Sequence, residues 1–218
     1  MLLRVVWCIN VRPMETKVVK LDAANIERAK INEAAAIVDA GGLVAFPTET
    51  VYGIACRVKT DSLAKLDNIK GRDHTKRYTL HIGQKSEFDK YVPTIGLRTK
   101  KLIKNAWPGP LTIVCELDKK DINKQKKKFE REVFEFLYKN NSLGIRCSDN
   151  PIAAILLQTT SNPVVAPSAN ITGRPPATDA DQVLAQLSGQ IELLLDAGPC
   201  KYKKSSTVEK WAKMAWKY

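Results

Sequence analysis

The residues of this 218-residue chain that could do chemistry lie in four polar loops, each following a short apolar run. The first is PTET (47–50), where Pro47 stops the run while Thr48, Glu49 and Thr50 offer two hydroxyls and a carboxylate. Such a trio can meet a small polar ligand, and it can equally be a capping turn. The second loop, KGRDHTKRYTLH (70–81), places Lys70, Arg72, Lys76 and Arg77 around a glycine, with His81 behind them. Lysine acts as a point charge and arginine as a planar fork for phosphate oxygens, so this spacing suits a polyphosphate. It lacks the GxxxxGK[ST] of a P-loop. His81 is expected to point inward or towards a pocket, as a catalyst or as a hydrogen-bonded core residue.

In the third loop, APSANITGRPPAT (166–178), consecutive small residues free backbone N–H groups to hold an anion, and Ser168 and Asn170 add side-chain donors. The fourth pairs GIRC (144–147) with SSTV (205–208). An arginine on an otherwise apolar strand is costly to bury alone, so Arg146 should meet an acid of the protein or a carboxylate ligand. The four loops contain phosphate binders, hydroxyls and one carboxylate-seeking arginine, with no Ser/His/Asp triad, no metal-ligand cluster and no GxGxxG. That set fits a nucleotide plus an amino acid better than hydrolysis or redox chemistry.

The elements that must position these loops alternate between helix and strand. Asp22 or Asn25 is expected to cap a helix with Ile26, Ala29, Ala34, Ile37 and Val38 near one face, ended by Gly41 and Gly42. Strands follow at 43–46, 51–58, 78–82, 111–117, 143–147, 164–167, 191–196 and 206–208, with helices at 62–70, 102–106, 151–157 and 179–187 between them. WPGP (107–110) is a turn that no helix or strand can cross. KKDINKQKKK (119–128) reads as a solvated lysine-rich stretch and FEREVFEFLYK (129–139) as a short amphipathic helix, together an insertion or lid. Buried strands ending in polar loops indicate one α/β domain with ligands at the strand ends.

Composition agrees with a globular chain, 44% hydrophobic and 27% charged, and the net charge of +12 suggests an anionic partner. Five cysteines, odd in number and never spaced CxxC, signal neither a disulfide framework nor a zinc site, which fits a reducing compartment. No apolar run approaches the ~20 residues needed to span a bilayer. The chain is therefore expected in the cytoplasm, away from membranes. Met14 opens METKVVKLD, so residues 1–13 are either an upstream extension of a 14–218 domain or an extra N-terminal strand.

In this order, GGLVAFPTETVYGIAC, IKGRDHTKRYTLHI, WPGPLTIV, LGIRC, VVAPSANITGRPPAT, LLLDAG and SSTV closely resemble the YrdC-like family of threonylcarbamoyl-adenylate synthases, from about residue 22 to residue 208. The resemblance implies a single α/β domain with a twisted, mixed or mostly parallel sheet, flanking helices and a basic concave face. It implies that L-threonine, bicarbonate and ATP, with Mg²⁺, become L-threonylcarbamoyl-AMP and pyrophosphate. A partner transferase would then modify the adenosine beside the anticodon of tRNA. Thr50, His81, Arg146, Ala166 and Ser206 match the family's threonine contacts. Arg72, Lys76, Ser142, Ser168 and Pro176 match its ATP contacts, and Lys70 and Asn170 stand close to the phosphates. Lys70, Arg72 and His81 are the expected catalytic set.

The sequence departs from the family at Arg77 and Tyr78, where Pro and Leu are usual, and after STV, where Lys210 or Lys213 would replace a further arginine. Two other readings stand beside the synthase. One is a non-catalytic module that binds tRNA or double-stranded RNA through the basic concave face. The other is a carbamoyl-adenylate-forming domain for a different acceptor.

Overall fold

The computed structural model describes residues 14–72 and 77–211, so the possible N-terminal extension (1–13), Lys76 and Lys213 lie outside the described residues. In chain order the elements are β1 (Lys17–Lys20), α1 (Arg28–Asp39), β2 (Val44–Phe46), β3 (Gly53–Arg57), α2 (Thr60–Lys70), β4 (Leu80–Ile82), α3 (Phe88–Tyr91), α4 (Leu97–Ala106) and β5 (Leu111–Glu116). They continue with α5 (Lys119–Lys128), α6 (Arg131–Leu137), β6 (Ser142–Cys147), α7 (Pro151–Thr159), β7 (Val164–Val165), α8 (Ala180–Leu187), β8 (Leu193–Asp196) and β9 (Thr207–Trp211).

Among the described residues the strands form one nine-stranded sheet in the order β1-β8-β2-β3-β7-β4-β6-β5-β9. It is mixed. The β1–β8, β2–β8, β4–β6 and β5–β9 pairs are parallel, and the β2–β3, β3–β7, β4–β7 and β5–β6 pairs are antiparallel.

Successive side chains of a strand point to opposite faces, and the sheet uses both. On β2, Val44 and Phe46 join a core with Ile31, Ala34 and Val38 of α1 and Ile152, Ala153 and Leu156 of α7. Leu43 and Ala45, of opposite parity, join the larger core on the other face, with Leu66 of α2, Val133 and Leu137 of α6 and Val183 and Leu187 of α8. Both faces are therefore helix-covered, which explains the nearly continuous apolar strands.

Three local expectations change. Helix α1 begins at Arg28 with Glu27 in the cap position, while Asp22 instead accepts the Ala24 N–H (2.8 Å) in a separate turn. The strand expected at 164–167 is only Val164–Val165, because the chain leaves the ladder early to form the small-residue loop. Residues 119–128 are a helix, capped by the Asp118 side chain on the Asp121 N–H (2.8 Å), with Asp121 and Gln125 buried and the lysines outside. Helix α6 then packs Val133 and Leu137 inward, as the amphipathic pattern of 129–139 indicated.

Candidate ligand site on the polar row of the sheet

Strand register assembles the central part of the site. Thr112, Arg146 and His81 are direct neighbours across β5, β6 and β4, and Val164 on β7 continues the row. The adjacent row, Ile113, Ile145, Leu80 and Val165, lies on the opposite face and belongs wholly to the larger core. Alternation thus places an arginine, an imidazole and a hydroxyl together on one side of an otherwise apolar sheet. Ser206 joins them through a hydroxyl contact with Thr112 (3.3 Å), and the Ala166 N–H bonds the Thr79 carbonyl (3.3 Å), placing Ala166 beside β4.

Arg146 meets an acid of the protein. Its Nη2 donates to Glu49 Oε1 (2.7 Å) and Thr50 Oγ1 (2.8 Å), and both partners of the ion pair are almost fully buried. Glu49 uses its second oxygen to accept from the Ser148 hydroxyl and from the Asp149 N–H (3.1 Å). The PTET loop is therefore bound to the end of β6 through four acceptor bonds. It is braced internally by Thr48, whose hydroxyl donates to the Val51 carbonyl (2.6 Å) and meets Thr50 Oγ1 (2.9 Å).

A second group forms around Lys70. Helix α2 ends there because Gly71 takes the left-handed conformation (φ 55°), which turns the chain so that Lys70 and Arg72 follow each other into the site. Lys70 Nζ is buried and donates to the carbonyls of Ser168 (2.6 Å) and Asn170 (2.7 Å). Burial, with a smaller repulsion from Arg72, lowers its ammonium to about 8. Asn170 accepts from the Ser168 hydroxyl (2.5 Å) and donates to Ile171 and Arg174 carbonyls, so the small-residue loop is held in one shape. Backbone bonds from Tyr52 to Ala177 and from Ala169 to Tyr52 tie this loop to the start of β3, directly after PTET. Pro176 lies on that tethered segment, next to Ala177.

Arg72 and Arg77 connect the basic loop to β6. Arg72 lies over the Tyr78 ring (4.6 Å to the centroid) and donates through Nη2 to the Arg77 carbonyl (2.9 Å). Arg77 in turn donates to the Ser142 carbonyl (2.8 Å). The two departures from the family pattern, Arg77 and Tyr78, are thus the residues that hold Arg72 and Ser142 in place. Ser142 and Arg146 share the ligand side of β6 with Gly144 between them, and a Cβ at Gly144 would meet its nearest neighbours at 3.7 and 3.8 Å, ordinary contact. Packing does not require glycine there, and its absence of a side chain leaves the floor between Ser142 and Arg146 open. Lys210 pairs with Glu116 (2.9 Å), the register partner of Ser142.

Buried side-chain nitrogens without a hydrogen-bond partner among the described residues are Arg72 Nε, His81 Nδ1 and Arg146 Nε. An unmet buried donor or acceptor costs about 1–3 kcal/mol, so three at sequence-expected site positions mark where a polar ligand belongs. Burial, reinforced by the Arg146 charge, lowers His81 to about 3, so its imidazole is neutral near pH 7. Neutral His81 can accept or donate a hydrogen bond to a ligand but holds no transferable excess proton. A cavity of about 620 Å³ between α2 and α6, lined by Leu63, Asp67, Glu132 and Phe136 among others, lies away from this row.

Sequence reasoning missed Thr112, Ser148 and Tyr52. Thr112 is a polar residue within the apolar strand LTIVCEL, a signal of the same kind as Arg146. Ser148 and Tyr52 act through contacts with residues 99 and 146 positions away, which no local pattern reveals.

The fold and site define an α/β protein whose single mixed sheet gathers Arg146, His81 and Thr112 on one face. The profile of the Sua5/YciO/YrdC family, described as telomere recombination, matches residues 36–217. A threonylcarbamoyl-AMP synthase of Bacillus subtilis is 33% identical over 190 residues, covering 86% of this chain and 51% of its own length. One from Chromohalobacter salexigens is 31% identical over 180 residues, covering 82% and 91%. The crystal structure of Pyrococcus abyssi Sua5 complexed with L-threonine superposes with a TM-score of 0.78 at 30% identity, covering 92% of this chain and 55% of that one. The chain belongs to the Sua5/YciO/YrdC family. It spans about half the length of the Bacillus and Pyrococcus relatives.

Removing the Glu49 carboxylate would leave a buried guanidinium uncompensated. Glu49→Ala is expected to lower stability by about 3–5 kcal/mol in urea unfolding, and a change below ~1 kcal/mol would contradict the role given to this pair.

Proposed function

We propose that this protein converts L-threonine, bicarbonate and ATP into L-threonylcarbamoyl-AMP and pyrophosphate. The observation that carries the reading is the pair of buried nitrogens without a partner among the described residues, His81 Nδ1 and Arg146 Nε, on register neighbours of the same sheet face. In support, the Pyrococcus relative that shares this fold was crystallised with L-threonine.

Threonine's carboxylate takes Arg146 Nε, since Glu49 and Thr50 already occupy Nη2. Thr50, His81 and Ser206 supply contacts for its hydroxyl and amine, and the backbone at Ala166 lines the pocket. The amine then condenses with bicarbonate, losing water, to give a carbamate. A carbamate oxygen attacks the α-phosphorus of ATP, the α–β phosphate bond breaks, and pyrophosphate leaves with the electron pair.

Such a displacement needs in-line positioning and charge neutralisation more than covalent help. Lys70, Arg72, Lys76, Ser168 and Asn170 provide these for the phosphates, with Ser142 and Pro176 on the nucleotide. Two of the three ammonium protons of Lys70 are used by loop carbonyls, leaving one for a phosphate oxygen. Mg²⁺ carried by ATP would add charge neutralisation at the phosphates beside Lys70 and Arg72. No proton-transfer role falls to His81, which positions threonine as a neutral imidazole. The four cysteines among the described residues are buried free thiols, which suit a reducing cytoplasm, where a transferase would pass the threonylcarbamoyl group to tRNA.

The direct test is pyrophosphate release with ATP, bicarbonate and each amino acid in turn. Release should require threonine, and Arg146→Ala should raise the KM for threonine far more than that for ATP. Release without threonine dependence, or equal loss for both substrates, would overturn the reading.

A proton balance tests Lys70. Its pKa near 8 is depressed from the usual 10.5, and nearby phosphates favour the charged form and raise it again. Nucleotide binding at pH 8.5 should therefore take up a fraction of a proton, an uptake that fades below pH 7. Calorimetry in buffers of different ionisation enthalpy reads this directly. Lys70→Arg, which does not titrate, should abolish the uptake, and an unchanged uptake in that variant would refute the assignment.

A further inference from the structure

Asp67 lies on α2, outside the row of ligand groups, yet it reaches Arg72 by two routes. Its main-chain carbonyl accepts the Arg72 N–H (3.0 Å), a bond that closes the end of α2 where Gly71 turns left-handed. Its carboxylate Oδ1 accepts the hydroxyl of Tyr78 (2.5 Å), and the Tyr78 ring carries the Arg72 guanidinium 4.6 Å from its centroid. The main chain at Arg72 and the tip of its side chain are therefore both tied to one acidic residue.

The ring itself is held fast. Tyr78 is buried, and Phe136 of α6 stacks on it with centroids 6.4 Å apart and planes inclined at 28°. Burial, followed by the bond to Asp67, raises the phenol above its usual range, so the hydroxyl stays a donor. A hydrogen bond to a carboxylate is charge-assisted and stronger than one between neutral groups. It also pushes electron density towards the ring, which deepens the negative face on which the guanidinium rests. Arg72 Nη2 meanwhile donates to the carbonyl of Arg77 (2.9 Å), directly before Tyr78, so the face and one edge of the guanidinium are each held. Arg72 Nε is buried with no hydrogen-bond partner among the described residues. Leucine, the usual residue of the family at position 78, would bury equally well but has neither a π face nor a hydroxyl, so packing alone does not account for Tyr78.

We propose that Asp67 and Tyr78 are positioning residues for ATP: the ring anchored by Asp67 presets the Arg72 guanidinium for the phosphates, so nucleotide affinity is set in part from helix α2. The proposal rests on Arg72 being a nucleotide contact, as in the function proposed above. An arginine gripping a phosphate gives up rotamer freedom, and one that is already stacked and hydrogen-bonded gives up less, which tightens binding. Asp67 and Phe136 line the cavity between α2 and α6, away from the row of Arg146 and His81. Asp67 therefore acts on the nucleotide through Tyr78 and Arg72, and threonine binding is insensitive to it.

The experiment is calorimetric titration of ATP into the full chain without threonine or bicarbonate, with the KM for threonine from pyrophosphate release as the second readout. Tyr78→Leu should weaken ATP binding about tenfold, and Tyr78→Phe and Asp67→Ala about threefold each, the scale of one cation–π contact and of one hydrogen bond. The Asp67→Ala/Tyr78→Phe pair should cost no more than either substitution alone, because both break the same bond. In every variant the KM for threonine should stay as it is in the unsubstituted chain. Should Tyr78→Leu fail to fold, Tyr78→Phe and Asp67→Ala carry the test. Unchanged ATP affinity in folded variants, fully additive losses in the pair, or an equal rise in the KM for threonine would overturn the proposal and leave the function proposed above standing. Failure of the unsubstituted chain to bind ATP would overturn that function and this proposal together.

Discussion

The buried ion pair between Glu49 and Arg146 is the interaction on which the ligand face depends. A guanidinium on the apolar strand LGIRC would be prohibitively costly alone, and the PTET loop supplies its carboxylate from 97 residues away. Because Glu49 also accepts from Ser148 and the Asp149 N–H, the pair closes a network in which each charged group has several partners. The network consumes Nη2 of Arg146 and leaves Nε unmet. A fully satisfied network would be a structural salt bridge only; the remaining N–H donor is what the proposed threonine contact uses.

The side proposed to take phosphate is built differently. Lys70 is a fastener as well as a cation, since its ammonium holds the carbonyls of Ser168 and Asn170 and so fixes the small-residue loop. Tyr52 links that loop to the segment following PTET through backbone bonds on both sides. The loop that carries Glu49 and the loop held by Lys70 are therefore mechanically joined through the start of β3. That coupling is what an in-line attack of one substrate on another requires, because a misplacement of about 1 Å can cost two orders of magnitude in rate.

Much of this arrangement was legible in the chain itself. The 43–46 run, ended by Pro47, reads as a buried strand because it is short, apolar on both faces and abruptly stopped, and β2 is that strand. Arg146 announced a partner because burying an unpaired charge is so unfavourable, but spacing could not say whether that partner was Glu49 or a ligand. The answer was long-range, fixed by β6 ending beside PTET. Residues 119–128 misled in the opposite way. Their lysines suggested a solvated stretch, whereas a cap from Asp118 and two buried polar side chains, Asp121 and Gln125, stabilise a helix whose one apolar residue, Ile122, packs inward. Hydrophobic periodicity cannot detect such a helix. Arg77 and Tyr78, departures when seen as letters, become supports for Arg72 and Ser142 once the loop is folded.

The central claim is that the unpartnered nitrogens on the sheet face are where L-threonine binds. Nitrogen-15 NMR of the Arg146 and His81 side chains during a threonine titration tests it most directly. Saturable shifts of Arg146 Nε and His81 Nδ1, with serine and alanine producing weaker changes, are the expected result. Unmoved resonances at millimolar threonine, in protein that retains its fold, would contradict it.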